Sequence, residues 1–63
     1  MTPHQHKMIK MRIQGRAYKE IATHLNLSIR TVESHFHLIY KILNVHNVIE
    51  LSLRYKEKFP HKN

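Results

Sequence analysis

Apolar residues recur at helical spacing along nearly the whole chain, and no stretch alternates as a half-buried strand would. Met8, Ile9 and Ile13 mark the apolar stripe of a first helix. Thr2-Pro3-His4-Gln5 opens it. The Thr2 hydroxyl can accept a free N–H of the first turn, and Gln5 can reach back to the Thr2 N–H. Pro3 takes the first helical position, where a missing N–H costs nothing. Gly15 supplies a left-handed stop, so this helix is expected over about residues 3–14. A second helix is expected from about Tyr18 to Leu25. After the break Asn26-Leu27-Ser28, Ser28 caps a third helix reaching about Leu43, and Asn44 tolerates the left-handed conformation that ends it. Asn47-Val48-Ile49-Glu50 opens a fourth helix that frays before Pro60. The expected fold class is all-α: four short helices forming one domain over residues 1–59, with 60–63 a disordered tail. Such short helices are marginal alone, so the packing of their apolar stripes must hold them.

Residues 18–43 read as a short helix, a three-residue turn and a longer helix, the arrangement of a helix-turn-helix. Ile21 and Leu25 lie one turn apart, Ala22 is small enough for a close helix crossing, Leu27 fills the turn, and Val32 and Phe36 lie one turn apart on the longer helix. Spacing alone also fits any antiparallel helical hairpin. Winding the third helix at about 100° per residue puts Ile29, Val32, Phe36, Ile39, Tyr40 and Leu43 on one stripe, expected to face the core. Arg30, Glu33, Ser34, His37 and Lys41 fall on the opposite face, with no large apolar residue among them. Such a row can meet both phosphates and base edges, although a merely solvated helix face has a similar make-up. The fourth helix carries two apolar sets, Val48, Leu51, Tyr55 and Phe59, and the smaller Ile49 and Leu53. One set serves the core. The spare set is either a dimer seam or the ordinary exposed apolar surface of a thin domain.

Composition narrows the function. A chain of 63 residues buries only about 60% of its unfolded surface and leaves little room for a cleft lined by several positioned groups. No nucleophile–base–orienter set, phosphate loop or usefully spaced carboxylate pair is present, so no enzyme and no cofactor is expected. The absence of cysteine excludes disulfides and thiolate metal sites. Eleven Lys and Arg against four Asp and Glu give a formal net charge of +7, which points to an anionic partner, nucleic acid first. A membrane-surface peptide would concentrate its charge on one dominant amphipathic helix, whereas here the charge is spread over four capped ones. No apolar run approaches the roughly 18 residues of a membrane span, and MTPHQHKM has no signal-peptide core, so a soluble cytoplasmic protein is expected. Of the seven histidines, His4 and His6, and His35 and His37, look like ligand pairs. Residues two apart on a helix point about 200° apart and cannot share one ion, so no metal site is expected. His24, His46 and His61 read as exposed surface.

Thr2-Pro3, Gly15, Lys19-Glu20-Ile21-Ala22, Leu25, Ser28, Thr31-Val32-Glu33, His35, Lys41 and Leu43-Asn44-Val45 together resemble the LuxR-type helix-turn-helix, also called the GerE or NarL/FixJ effector domain, over about residues 1–55. The resemblance implies a bacterial transcription regulator that binds double-stranded DNA, usually as a homodimer, with the third helix in the major groove. It implies base contacts at Glu33, Ser34 and His37, phosphate contacts near Lys19, Arg30, Thr31 and Lys41, and dimerisation through the fourth helix, where Ile49 and Leu53 are the candidates. RNA polymerase is a further candidate partner. The alternative is a helix-turn-helix that binds another regulator or the polymerase rather than DNA.

Some positions depart from the family pattern. Arg12 stands where an apolar residue is usual, and is expected either to lay its stem along the core with its head in water or to pair with Glu20 or Glu50. Gln5 replaces the usual acid. Arg16 and Ala17 replace an apolar residue and a capping Ser, which leaves the start of the second helix without a good cap. Asn44 replaces a common Gly. His35 matches the usual His, for which a structural or phosphate-contacting role is expected. Many relatives carry a receiver or ligand-binding domain ahead of this one. Nothing precedes Met1 here, which fits a stand-alone regulator and an excised C-terminal domain alike.

Overall fold

The computed structural model describes residues 1–60. Its helices are α1 (Pro3–Ile13), α2 (Tyr18–Leu25), α3 (Ile29–Leu43) and α4 (Val48–Lys58), and there is no strand among the described residues. Pro60 is exposed, and the rest of the expected tail, 61–63, lies outside the described residues.

Local chemistry sets the ends. At α1 the Gln5 N–H donates to the Thr2 hydroxyl at 3.2 Å and the Thr2 N–H to Gln5 Oε1 at 3.0 Å, so the amide does the work of the usual acid. The Ser28 hydroxyl accepts from the Thr31 N–H at 3.0 Å to start α3, and Asn47 Oδ1 accepts from the Glu50 N–H at 2.9 Å to start α4. Asn26 and Asn44 end α2 and α3 in the left-handed conformation, at φ 58° and 55°. Helix α2 forms despite Ala17. Glu20 Oε1 accepts the Ala17 N–H at 2.9 Å, so one half of a capping box suffices where the N-cap side chain has nothing to offer.

Gly15 follows α1 at φ 93°, with open space where a Cβ would stand. An alanine there meets no neighbour and is opposed by backbone conformation alone. Gly15→Ala is expected to cost about 1 kcal/mol, a fall of about 4–8 °C in the thermal midpoint followed by circular dichroism.

Helix α1 packs on α2 and α4, and α3 packs on the same two from the other side. Between them lie Met8 and Ile9 of α1, Ile21 and Ala22 of α2, Val32, Phe36, Ile39 and Leu43 of α3, Val45 of the last turn, and Leu51 and Tyr55 of α4. Phe36 is the keystone: Tyr18 stacks on it at 4.8 Å and 9°, and Tyr40 meets it edge-on at 6.5 Å. Burial, and next the neighbouring Tyr40, push the Tyr18 phenol up from its ordinary range, against the pull of Arg12.

Two expectations about the core need correction. Ile29, at the first turn of α3, is 45% exposed rather than buried, because no neighbouring helix extends far enough to cover it. Arg12 pairs with neither Glu20 nor Glu50. Its guanidinium lies 5.0 Å over the Tyr18 ring and donates to the Arg16 carbonyl at 2.8 Å. Glu20 is occupied by Arg16 at 3.9 Å, and Glu50 by His46 at 3.4 Å and by the His46 N–H at 2.7 Å.

Candidate nucleic-acid interface

The face of α3 opposite the core stands clear. Arg30, Glu33, Ser34, His37 and Lys41 are all exposed. Arg30, Glu33, Ser34 and His37 line one shallow concavity together with Leu38. All five belong to α3, so no other element lies over them. Among the described residues, none of Arg30, Glu33, His37 and Lys41 is held in an ion pair, whereas Glu20, Glu50 and Glu57 all are. The charges on this face are therefore open to an external partner.

The other predicted positions lie around it. Thr31 is half-buried, and its hydroxyl accepts from the Ser28 hydroxyl at 2.9 Å, which leaves the Thr31 O–H free to donate outward. No acid stands in the first turn of α3, so the positive pole of the helix and Arg30 add up at that end. Lys19 is exposed on α2, in a separate depression between α1 and α2 that Gln14 and Thr23 also line. It is thus not brought into the α3 concavity. His35 is half-buried, and its Nδ1 is enclosed with no hydrogen-bond partner in the protein. His24 and His46 are exposed as expected, and His61 lies outside the described residues.

The two apolar sets of the α4 segment part company except at Phe59. Leu51 and Tyr55 are buried and Val48 half-buried, whereas Phe59 of the same set is 39% exposed. Ile49 and Leu53 face outward, 70% and 61% exposed, beside a depression shared with Ile13 and Val48.

The family model for bacterial regulatory proteins of the luxR family matches residues 1–54. The chain belongs to the LuxR family. No curated protein and no solved structure shows significant similarity to it. The LuxR-family domain is a helix-turn-helix of DNA-binding transcription regulators. No described helix of it is long and apolar enough to cross a membrane. No three His, Cys, Asp or Glu among its described residues are grouped as metal ligands.

Sequence reading missed three features of the LuxR-family domain. The α3 face is not free of large apolar residues at its edge: Leu38 is 54% exposed and Ile42 58%. The helical wheel carried that signal, since Leu38 falls only about 40° from Ser34. His6, discounted as a metal ligand, has another partner. Its Nδ1 lies 2.8 Å from the Tyr55 hydroxyl and its ring meets Phe59 edge-on at 4.7 Å, tying α1 to α4. Burial pushes the Tyr55 phenol up from its ordinary range. The Arg12–Tyr18 stack is the third, and only the shared surroundings of both side chains in the fold reveal it.

Proposed function

We propose that the chain is a sequence-specific regulator of transcription that binds duplex DNA with α3 in the major groove. The observation that carries this reading is the uncovered concavity on α3 in which Arg30, Glu33, Ser34 and His37 stand together with their charges unpaired. An α-helix fits the major groove, where base edges carry a distinct pattern of donors, acceptors and methyl groups. Glu33 accepts from the amino group of cytosine, Ser34 bonds either kind of base edge, and His37 donates to a purine acceptor such as N7. Lys19, Arg30, Thr31 and Lys41 hold phosphates and so set the register of α3 along the groove. The DNA-binding unit spans residues 1–59.

The test is selection from randomised DNA followed by three variants. Arg30→Ala is expected to weaken all sequences about equally. Glu33→Ala and His37→Ala are expected to relax preference at particular base pairs, losing roughly 1–3 kcal/mol of discrimination each. Equal behaviour of the three in a binding assay against matched and mismatched duplexes overturns these roles.

The same reading takes Ile49 and Leu53 as the seam of a homodimer. Two large apolar side chains, neighbours one turn apart and well exposed, are what a symmetric helix–helix contact buries. Leu53→Glu places two carboxylates in that seam. Sedimentation velocity is expected to show a monomer at concentrations where the parent chain is dimeric, with the helical signal unchanged. A variant that remains dimeric removes α4 from the interface.

A further inference from the structure

Leu38 has no role in the reading above and no reason to be where it is as a core residue. It is 54% exposed, yet it lines the same concavity as Arg30, Glu33, Ser34 and His37. At about 100° per residue it stands one turn beyond Ser34 and about 40° round from it, at the margin of the polar face. Ile42 turns a further 40° or so away and does not line the concavity. We infer that Leu38 reads the C5-methyl of a thymine, so that sequence preference depends on one apolar contact beside the polar ones. This inference rests on the DNA-binding function proposed above.

The chemistry selects the ligand. A concavity bordered by an arginine, a carboxylate, an imidazole and a hydroxyl, with no cover from the rest of the fold, is suited to a surface that presents both hydrogen-bond donors and acceptors, as base edges beside phosphates do. A leucine among such groups gains only where that surface also offers something apolar. In the major groove the one apolar feature of the base edges is the thymine methyl. The spacing agrees. Four residues of helix advance about 6 Å along the axis, and neighbouring bases of one strand are about 3.4 Å apart, so Leu38 reaches a base pair one or two steps from the one Ser34 meets.

Duplexes enriched by the chain from randomised DNA provide the probe. Each thymine of the enriched site is replaced in turn by deoxyuridine, which removes the methyl and leaves every hydrogen-bonding group. One thymine per half-site is expected to lose about fourfold in affinity on replacement, the worth of one buried methyl-sized group. Leu38→Ala and Leu38→Gln are expected to bind the thymine and uracil duplexes equally, whereas Ile42→Ala keeps the difference. Circular dichroism should find all three variants as helical as the parent chain. Methyl removal without effect at every thymine, an effect that persists in both Leu38 variants, or an enriched site with no thymine overturns the inference while leaving DNA binding in place. A chain that enriches no sequence overturns the proposed function together with it.

Discussion

Phe36→Ala is expected to remove most of the stability of the domain at 25 °C. Phe36 is 2% exposed and lies between the Tyr18 ring, stacked at 4.8 Å, and the edge of Tyr40. Truncating a buried Phe costs about 3–5 kcal/mol through lost burial and the cavity left behind. Domains hold roughly 0.05–0.15 kcal/mol per residue, so a chain of 63 residues has on the order of 3–9 kcal/mol in total. One substitution therefore removes most of the margin. Circular dichroism is expected to lose helical signal and to broaden or abolish the thermal transition. Leu38→Ala on the same helix is expected to change both far less, because its side chain is 54% exposed. A Phe36→Ala chain that melts like its parent would mean that α2 and α3 do not owe their packing to this ring. The loss extends to function, since the angle between α2 and α3 fixes where Lys19 lies relative to Arg30 and Lys41.

DNA affinity is expected to fall about a thousandfold between 50 and 200 mM salt. Lys19, Arg30 and Lys41 are exposed, and each proposed contact neutralises one phosphate and releases its condensed counterion. In a dimer those three positions give about six neutralised phosphates, and log affinity falls by about 0.9 per phosphate for each decade of salt. Anisotropy titrations of a labelled duplex over that range measure the slope. Lys41→Ala is expected to reduce it by about two, one for each protomer. A slope that stays below about two for the parent chain favours the alternative reading, a helix-turn-helix that docks on a protein. Salt separates the two because apolar contacts release no counterions.

The helix ends were legible because the residues that make them act locally. Thr2, Ser28 and Asn47 each accept a hydrogen bond from an N–H three residues on, so four letters of sequence contain the whole interaction. The outward face of α3 was legible for a related reason: a helix of known start and pitch places every side chain by angle alone. What that angle cannot supply is how far a neighbouring helix reaches. Ile29 lies on the core stripe but beyond its cover, and Leu38 and Ile42 lie beside the polar face where nothing shields them. Contacts between one helix and another carried no local signature at all. His6 meets Tyr55 across 49 positions, and Arg12 finds a ring on the next helix instead of a carboxylate. Ala17 misled for a simpler reason, since Glu20 can serve the start of α2 from inside the helix.

The helices are joined through residues 14–17, 26–28 and 44–47, and apart from the packing of α1 on α4 most neighbours in space are near neighbours along the chain. Little chain entropy stands between such a topology and its native state, and helical domains of this kind fold in microseconds to milliseconds. A ribosome adds only about 5–20 residues per second. Once α4 has cleared the exit tunnel, the four helices can pack within the time of a single elongation step, so their apolar stripes stay open to wrong partners only briefly while the polypeptide is being made.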